Sequence, residues 1–396
     1  MRIVFLGGIY PNCRRDEIIK NSKRGVQFAA DNFQNSFIQG LIDNGLPVKI
    51  VSLPFISSFP FGYRKLYVKG GNFEFNQKMI GEMVSYINIP FVRYRLNNLQ
   101  QLLWASLRDW DDCYLIVYSL QRHLIKVALN AKKCFPKIKI CLIIPDLPEY
   151  MSFNKVYTFL GLKNDDINYI YRHINKANYY VVLTKQMAER LKIRNREWIC
   201  IEGIYNEKLA IDKSLNKSSH KVILYSGAIH KRYGLGMLLD AFRQINDDNF
   251  RLWICGDGDY KNEIVSVAAK DSRIKYFGTL PIEKVLELQK KATLLINPRT
   301  AVGEYTKYSF PSKTMEYLAS GTPVLMYSLP GIPEEYSQYY YKIDDDCTST
   351  RLAETIMSIC NQSSDELLKF GERAASFIKT NKNAKIQVRK MLDIFH

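Results

Sequence analysis

No two of the eight cysteines form a Cys-x-x-Cys pair, and the chain has only five histidines. That removes the usual spacing of zinc sites and redox dithiols. Cys13, Cys113, Cys134, Cys141, Cys200, Cys255, Cys347 and Cys360 are scattered, and Cys141, Cys200 and Cys255 lie inside apolar runs. They read as small buried hydrophobes in a reducing compartment rather than as disulfide halves or metal ligands. No apolar run approaches the roughly 18 residues that span a bilayer. The opening, Met1 to Pro11, has a short apolar run ending in Gly-Gly and Tyr-Pro, without the longer segment and cleavage site of a secretory signal. The expectation is a cytoplasmic protein. Also missing are short-period repeats, low-complexity tracts and any Asp-x-Asp pair in a setting that suits a metal.

The chain has 396 residues, 47% of them apolar, enough to bury two cores. Its net charge of +17 is uneven: 31 basic against 18 acidic residues over 1–215, and 25 against 21 over 216–396. A basic half invites an anionic partner, whether nucleic acid, an anionic membrane or a phosphorylated acceptor. Nucleic acid requires stacked aromatics within one basic groove, and only residues 52–95 offer that mixture, so no nucleic acid is expected.

Strand-like runs alternate with helical ones, which predicts an α/β fold with mostly parallel sheets. In the first half the strands are RIVFLGG, PVKIVSLPF, CYLIVYSL, KIKICLIIP and YYVVLT. Gln27 to Gly45 has helical spacing at Phe33, Phe37 and Leu41, with Gly45 as its stop. Residues 52–95 break into aromatics, prolines and bases, and read equally as a loop closing over the core or as an acceptor- or membrane-facing flap. A polar stretch from Asn206 to His220 reads as a linker. KVILYSG, FRLWICGDGD, KYFGTL, ATLLINPR and PVLMYS are the strands of the second half, and about 365–396 reads as helix.

The most informative stretch is Ser309 to Leu325, a Ser/Pro/Ser/Lys turn opening a helix, then a Gly-Thr-Pro break into a strand. Pro311 suits a first helical turn, and Ser309 or Ser312 can cap it. Free amides there form an anion site beside Lys313, and Glu316 follows one turn later. That pairing suits a nucleoside diphosphate, with phosphates at the helix tip and ribose hydroxyls on the acid.

This stretch resembles the donor-site signature of the retaining glycosyltransferases of family 4, which have the GT-B fold. Their pattern is a glutamate, seven residues and a second glutamate before Ala-x-Gly-x-Pro-Val. Glu316 matches the second glutamate and Ala319-Ser320-Gly321-Thr322-Pro323-Val324 the tail, while Tyr308 replaces the first glutamate. The resemblance implies two Rossmann-like domains facing across a cleft. It places an acceptor-binding domain at 1–205, a linker at 206–220, a nucleotide-sugar domain at 221–375 and a helix packing back on the first domain at 376–396.

It also implies roles for particular residues. Gly227, after a buried strand, lets the backbone approach the donor. Where the family has phosphate-gripping Arg and Lys, this chain has Ala228 and Tyr233, with Lys231 and Arg232 between them. Gly256 and Gly258 fall at the nucleotide side, and Thr279 and Leu280 at the base, although a lone Gly-x-Gly is usually only a turn. Arg299, Glu304, Ser309, Phe310 and Ser312 complete the donor edge, and Glu304 or Tyr308 holds the sugar. Asp146 and Glu149 follow a buried strand; Asp146 is the candidate for orienting the acceptor hydroxyl, with a solvated surface turn as the alternative. Gly7, Gly8, Asn12, Arg14 and Arg15 lie on the acceptor side, and the arginines could meet an acceptor phosphate.

The implied activity is transfer of a sugar, with retained configuration, from a nucleoside-diphosphate sugar to a glycan hydroxyl. A UDP-sugar is favoured as donor, and neither cofactor nor metal is required. The basic first half suits a lipid-linked acceptor and an anionic membrane surface, as in the assembly of capsule, exopolysaccharide or O-antigen. The alternatives are another GT-B enzyme, such as a nucleotide-sugar epimerase, and a catalytically degenerate binding module. Ala228, Tyr233 and Tyr308 favour degeneracy, and the Lys313–Glu316 helix argues against it.

Overall fold

The computed structural model describes residues 1–396 apart from 77–78, 91–96, 111, 152–157, 160, 194, 206–216 and 396. Most of the expected linker therefore lies outside the described residues. The chain divides into two compact units, Met1–Ile204 with Ala384–His396, and Tyr205–Asn383.

The first unit contains β1 (Ile3–Gly7), β2 (Val48–Ser52), β3 (Tyr67–Val68), β4 (Gly71–Asn76), β5 (Met79–Met83), β6 (Tyr86–Ile87), β7 (Tyr114–Tyr118), β8 (Lys139–Ile144), β9 (Tyr179–Val182) and β10 (Glu197–Cys200). Eight of these form one sheet in the order β10-β9-β8-β7-β1-β2-β5-β4, parallel except for β4 against β5. The expected central strands are near-continuous apolar runs because both sheet faces are covered. Every residue of β1 and β9 is buried. Residues 52–95 are not simply a loop. They supply β5 and β4 to the sheet edge and a separate antiparallel ribbon, β3 with β6. Their short strands carry too few alternating positions to be read by period.

Helix Phe28–Asp43 ends at Gly45, whose φ of +76° lets the chain reverse. Against it packs the last helix, Ala384–Leu392, so closely that a Cβ on Gly40 would sit 2.4 Å from the Ala384 carbonyl oxygen. Asn44 Nδ2 also donates to the Lys385 carbonyl at 2.9 Å. The preceding helix, Ser364–Asn381, runs uninterrupted through residue 375 and keeps the second unit going to Asn383.

The second unit contains β11 (Lys221–Ser226), β12 (Phe250–Cys255), β13 (Ile274–Tyr276), β14 (Leu294–Asn297), β15 (Val324–Tyr327) and β16 (Tyr341–Ile343). All pair in parallel in the order β13-β12-β11-β14-β15-β16. This is the doubly wound 3-2-1-4-5-6 order, whose direction reverses between β11 and β14. Alternation along the strands builds a core on each face. Ile223, Tyr225, Leu294, Ile296, Leu325 and Tyr327 join one core, and Val222, Leu224, Leu295, Val324 and Met326 the other.

Among the described residues, no helix is long and apolar enough to cross a membrane. All eight cysteines are free, and Cys113, Cys141, Cys255 and Cys360 are buried.

Candidate functional site

In an open parallel sheet the ladder splits where strand order reverses, and the crevice beyond the carboxyl ends takes ligands. Here β11 and β14 pair through Ile223–Leu294 and Leu224–Leu295. Past Leu224 the strands part, leaving the peptide groups of Ser226 without a strand partner on the β14 side, while β12 continues beside it on the other. Tyr317, fully buried on helix Ser312–Ala319, fills that place with its hydroxyl. It accepts from the Ser226 amide at 2.7 Å and donates to the Ser226 carbonyl at 2.9 Å. Burial strongly raises the Tyr317 pKa, so the phenol keeps its proton.

A second buried side chain extends this arrangement. Gln289, on helix Ile282–Lys291, donates through Nε2 to Ser226 Oγ at 3.2 Å and to Glu316 Oε1 at 2.7 Å. Lys313 Nζ donates to the same carboxylate oxygen at 2.7 Å. The Gln289 backbone carbonyl accepts from Thr322 Oγ1 at 2.8 Å. Glu316 is thereby fixed from both sides, and an ammonium with three N–H groups keeps two for other acceptors. The pair lies near the end of β12. Burial pushes the Cys255 thiol up to about 11, Lys313 opposes that rise and Glu316 adds to it.

The helix tip differs from expectation. Its N-cap is Pro311, and neither Ser309 nor Ser312 makes a side-chain cap. Ser309 is held by its carbonyl, against which Gly331 packs so tightly that a Cβ would stand 2.2 Å away. That contact fixes Ser309 two residues before the cap, and Pro311 has no hydroxyl to offer. Ser309 Oγ is buried without a hydrogen-bond partner among the described residues. Thr314 N bonds the Pro311 carbonyl at 2.9 Å, and the amides of Ser312 and Lys313 make no hydrogen bond among the described residues. Phe310 packs its ring 5.6 Å from Tyr336, on the core side.

The remaining donor-side residues cluster where the segments after β11 and β14 meet. Gly234, at φ +77°, lies against Pro298, and a Cβ there would stand 2.1 Å from the Pro298 carbonyl oxygen. Next to Pro298, the Arg299 guanidinium stacks over Tyr233 at 5.2 Å and Tyr305 at 5.5 Å. Lys231 and Arg232 are exposed, and Arg232 also lies over Tyr233, at 5.3 Å. Gly227 borders the Tyr225 hydroxyl, which donates to the Ala228 carbonyl at 2.7 Å. Gly256 and Gly258 have an internal reason to be glycine, since Cβ atoms there would lie 1.8 Å from the Gly227 carbonyl oxygen and 2.1 Å from that of Ile229. Asp259 pairs with His230 at 3.1 Å, and that hydrogen bond, then the Lys231 amide, holds its carboxyl below the usual range. Exposed Thr279 and half-buried Leu280 follow β13. Glu304 is exposed, and the Tyr308 hydroxyl donates to its Oε1 at 3.2 Å.

In the first unit, Gly7 ends β1 and Gly8 follows it, at the reversal between β1 and β7. Gly8 N donates to buried Gln34 Oε1 at 2.8 Å, and a Cβ on Gly8 would strike the Phe55 ring at 2.2 Å. Arg15 is bound to buried Asp31 at 2.7 Å, and Arg14 to Glu17 at 3.0 Å. Both arginines thus have carboxylate partners inside the unit, while Asn12 is exposed. Glu149 Oε1 accepts from Tyr171 at 2.8 Å and from Arg190 at 3.0 Å, a structural engagement. Asp146 reaches solvent, yet protein crowded around its carboxyl raises its pKa by desolvation. Burial strongly raises the pKa of Tyr118, and Asp146 adds to that rise.

Sequence reading missed Gln289 and the bonding role of Tyr317. Gln289 was the more legible, as one polar residue on the buried stripe of Val285 and Leu286. Tyr317 stands within a recognisable motif, but nothing local shows that its partner lies on β11.

Residues 207–380 match the family model described as "Glycosyl transferases group 1". No curated protein matches the sequence significantly. Solved structures match along the whole chain. A sucrose-phosphate synthase from Thermosynechococcus elongatus superposes with a TM-score of 0.63 at 13% identity, covering 100% of this chain and 98% of that one. HepE of Anabaena, solved in complex with UDP, gives 0.62 at 13% identity and 99% of both chains. The lipopolysaccharide outer core galactosyltransferase WaaB gives 0.61 at 13% identity, covering 100% of this chain and 99% of that one. The fold is GT-B, with two Rossmann-like domains. The family match over the second unit supports glycosyl transfer.

Proposed function

We propose that this protein is a retaining glycosyltransferase that moves a sugar from a UDP-sugar to a hydroxyl of a lipid-linked glycan. One observation carries the reading. At the switch point of the second unit, two unbonded amides at a helix tip stand beside a Lys313–Glu316 pair anchored by buried Gln289. Such a tip attracts a diphosphate, and a fixed carboxylate accepts ribose hydroxyls. UDP is favoured because HepE, which shares the fold, was solved with it.

In the reaction the bond from the sugar anomeric carbon to the diphosphate oxygen breaks, and the acceptor oxygen bonds that carbon on the same face. The acceptor proton passes to the departing phosphate oxygen, so no dedicated base is needed. Catalysis is then mainly electrostatic. Helix-tip amides and Lys313 stabilise charge gathering on the leaving diphosphate, where preorganised donors contribute most. Glu316 holds the ribose, and Glu304 with Tyr308 holds the sugar. Acceptor recognition is assigned to the first unit, with Asp146 orienting the hydroxyl. Because protein groups supply the positive charge, no metal is invoked.

The ribbon of β3 and β6 supports docking to an anionic membrane. Tyr67 and Ile87 pair across it, and both are exposed together with Phe61, Leu66 and Ile89. Exposed Lys23, Arg24, Arg64 and Lys69 accompany them. Each such base contributes about 1 kcal/mol near an anionic surface, and the apolar tips add insertion. Binding to phosphatidylglycerol vesicles should weaken with salt and with Tyr67→Ser plus Ile87→Ser; binding that ignores both refutes this docking face.

The deciding experiment is a thermal-shift panel of nucleotides and nucleotide sugars with chelator present. A ligand at 100 times its Kd adds about 2.7 kcal/mol. A shift with UDP and one UDP-sugar, followed by transfer to a glycolipid, supports the proposal. Donor conversion without any acceptor points instead to an epimerase, and no shift at all to a binding module.

A further inference from the structure

We infer that Arg299, caged by Tyr233 and Tyr305, is a second cation that receives the donor diphosphate alongside Lys313, and that Tyr233 acts as its positioning residue. The inference rests on the donor-site reading above and deepens it.

Among the described residues, partly buried Arg14, Arg15, Arg122 and Arg273 have carboxylate partners, and Arg251 donates to the Asp248 and Phe250 carbonyls. Arg15 pairs with Asp31 at 2.7 Å, and Arg273 with Asp271 at 2.8 Å. Arg299 has none among the described residues, and its Nε is buried without a hydrogen-bond partner. A buried donor left unpaired is costly and is retained where something else satisfies it. Instead of an anion, Arg299 has two aromatic faces, at 5.2 and 5.5 Å. Tyrosine rings hold a guanidinium by stacking and cation–π attraction without consuming its N–H groups. The outcome is a planar, oriented, charged fork with no anion of its own.

Its position selects the ligand. Arg299 follows β14 directly, at the edge where β11 and β14 part. The Gly234–Pro298 contact locks its segment to the turn that carries Tyr233. Its charge also reaches the Tyr225 phenol, which lies against Gly227 and donates to the Ala228 carbonyl. A guanidinium presented at a strand-end crevice pairs bidentately with phosphate oxygens. Arg232 shares the Tyr233 ring but is exposed, so it pays more side-chain entropy to bind. On this reading Tyr233 replaces a phosphate-gripping lysine without loss of function, because the charge now comes from residue 299.

The test is titration calorimetry of the full-length protein with UDP, uridine and inorganic pyrophosphate. Arg299→Ala should weaken UDP and pyrophosphate by about 30-fold or more, as expected for a lost charge-assisted bidentate pair. Uridine, which has no phosphate, should bind as before. Arg299→Lys should recover only part of the loss. Tyr233→Phe should stay within about twofold and Tyr233→Ala lose about tenfold, since the ring rather than the hydroxyl holds the fork. Unchanged UDP and pyrophosphate binding in Arg299→Ala overturns the inference, as does a parallel fall in uridine affinity, which signals general damage. Wild-type protein that binds neither phosphate probe also overturns it. Arg299-dependent pyrophosphate binding without any uridine nucleotide binding would leave the inference standing while the UDP reading fell.

Discussion

Tyr317→Phe removes one oxygen atom and tests how the crevice is made. In the wild type that oxygen satisfies both peptide groups of Ser226 that β14 abandons, at 2.7 Å to the amide and 2.9 Å to the carbonyl. Ser226 is 2% exposed and Tyr317 1%, so bulk water does not reach the gap. Each buried polar group orphaned in this way costs about 1–3 kcal/mol. With two groups orphaned, and phenylalanine retaining the packing, the expected destabilisation is about 3 kcal/mol. Urea unfolding should show a lower midpoint with unchanged slope in the transition of the second unit, since the surface exposed on unfolding is the same. Hydrogen exchange supplies the local readout, with the Ser226 amide exchanging faster while the amides of β13 and β16 keep their relative protection. UDP affinity should fall as well, because the displaced peptide leads into Gly227. A loss under about 0.5 kcal/mol, with Ser226 exchange unchanged, would mean that the hydroxyl is not what closes the split ladder.

Four further outcomes are expected. Glu316→Gln keeps its shape but loses the charge gripped by Lys313 and Gln289, and should weaken UDP about 10- to 100-fold in calorimetry. Gly234→Ala places a methyl against the Pro298 carbonyl at a positive φ, and should lower stability by at least about 2 kcal/mol in a thermal melt. Glu17 is held below its ordinary 4.5 by the Lys65 hydrogen bond and then by Arg14. Its contribution is therefore complete above the unfolded-state value and disappears as pH falls through the lower folded value. Between pH 6 and 3 the wild type should lose more stability than Glu17→Gln, and identical pH profiles would contradict this. Transferase activity should survive EDTA, and its loss with recovery on added divalent cation would show that protein cations do not suffice.

Much of the architecture was legible because parallel strands buried on both faces are uninterrupted apolar runs. β1, β2, β7, β8, β9, β11, β12, β14 and β15 each stand inside a run recognised in the sequence, and β13 begins one residue before its run. Strands with weaker patterns escaped. β10 follows a short helix with only Glu197–Cys200 in register, and β4, β5 and β16 are edge or near-edge strands whose exposed positions dilute the apolar signal. The helix cap was misread for a physical reason. Serine's capping preference is local, and the Gly331 contact that leaves Pro311 at the cap comes from a loop some twenty residues away.

The sequence by itself determined what depends on neighbours along the chain: the alternation of strands and helices, the glycine stops, and a helix opening on Pro-Ser-Lys with a glutamate one turn on. It also carried the charge asymmetry, which is only a count. Tertiary structure decided which polar groups are spent on the fold and which remain for a ligand. Arg14, Arg15 and Glu149 looked as available as Arg299, yet the first three are bound within their unit and the last is held by rings alone. Gly256 and Gly258 were read as a turn at the nucleotide side, and the close approach of the Gly227 and Ile229 carbonyls gives both an internal reason to be glycine. Tyr317 reaches Ser226 across 91 residues, and Gln289 reaches Glu316 across 27. Hydrogen bonds act over about 3 Å of space with no regard for sequence distance, so a pattern of residue types can propose them but only the folded chain assigns the partners.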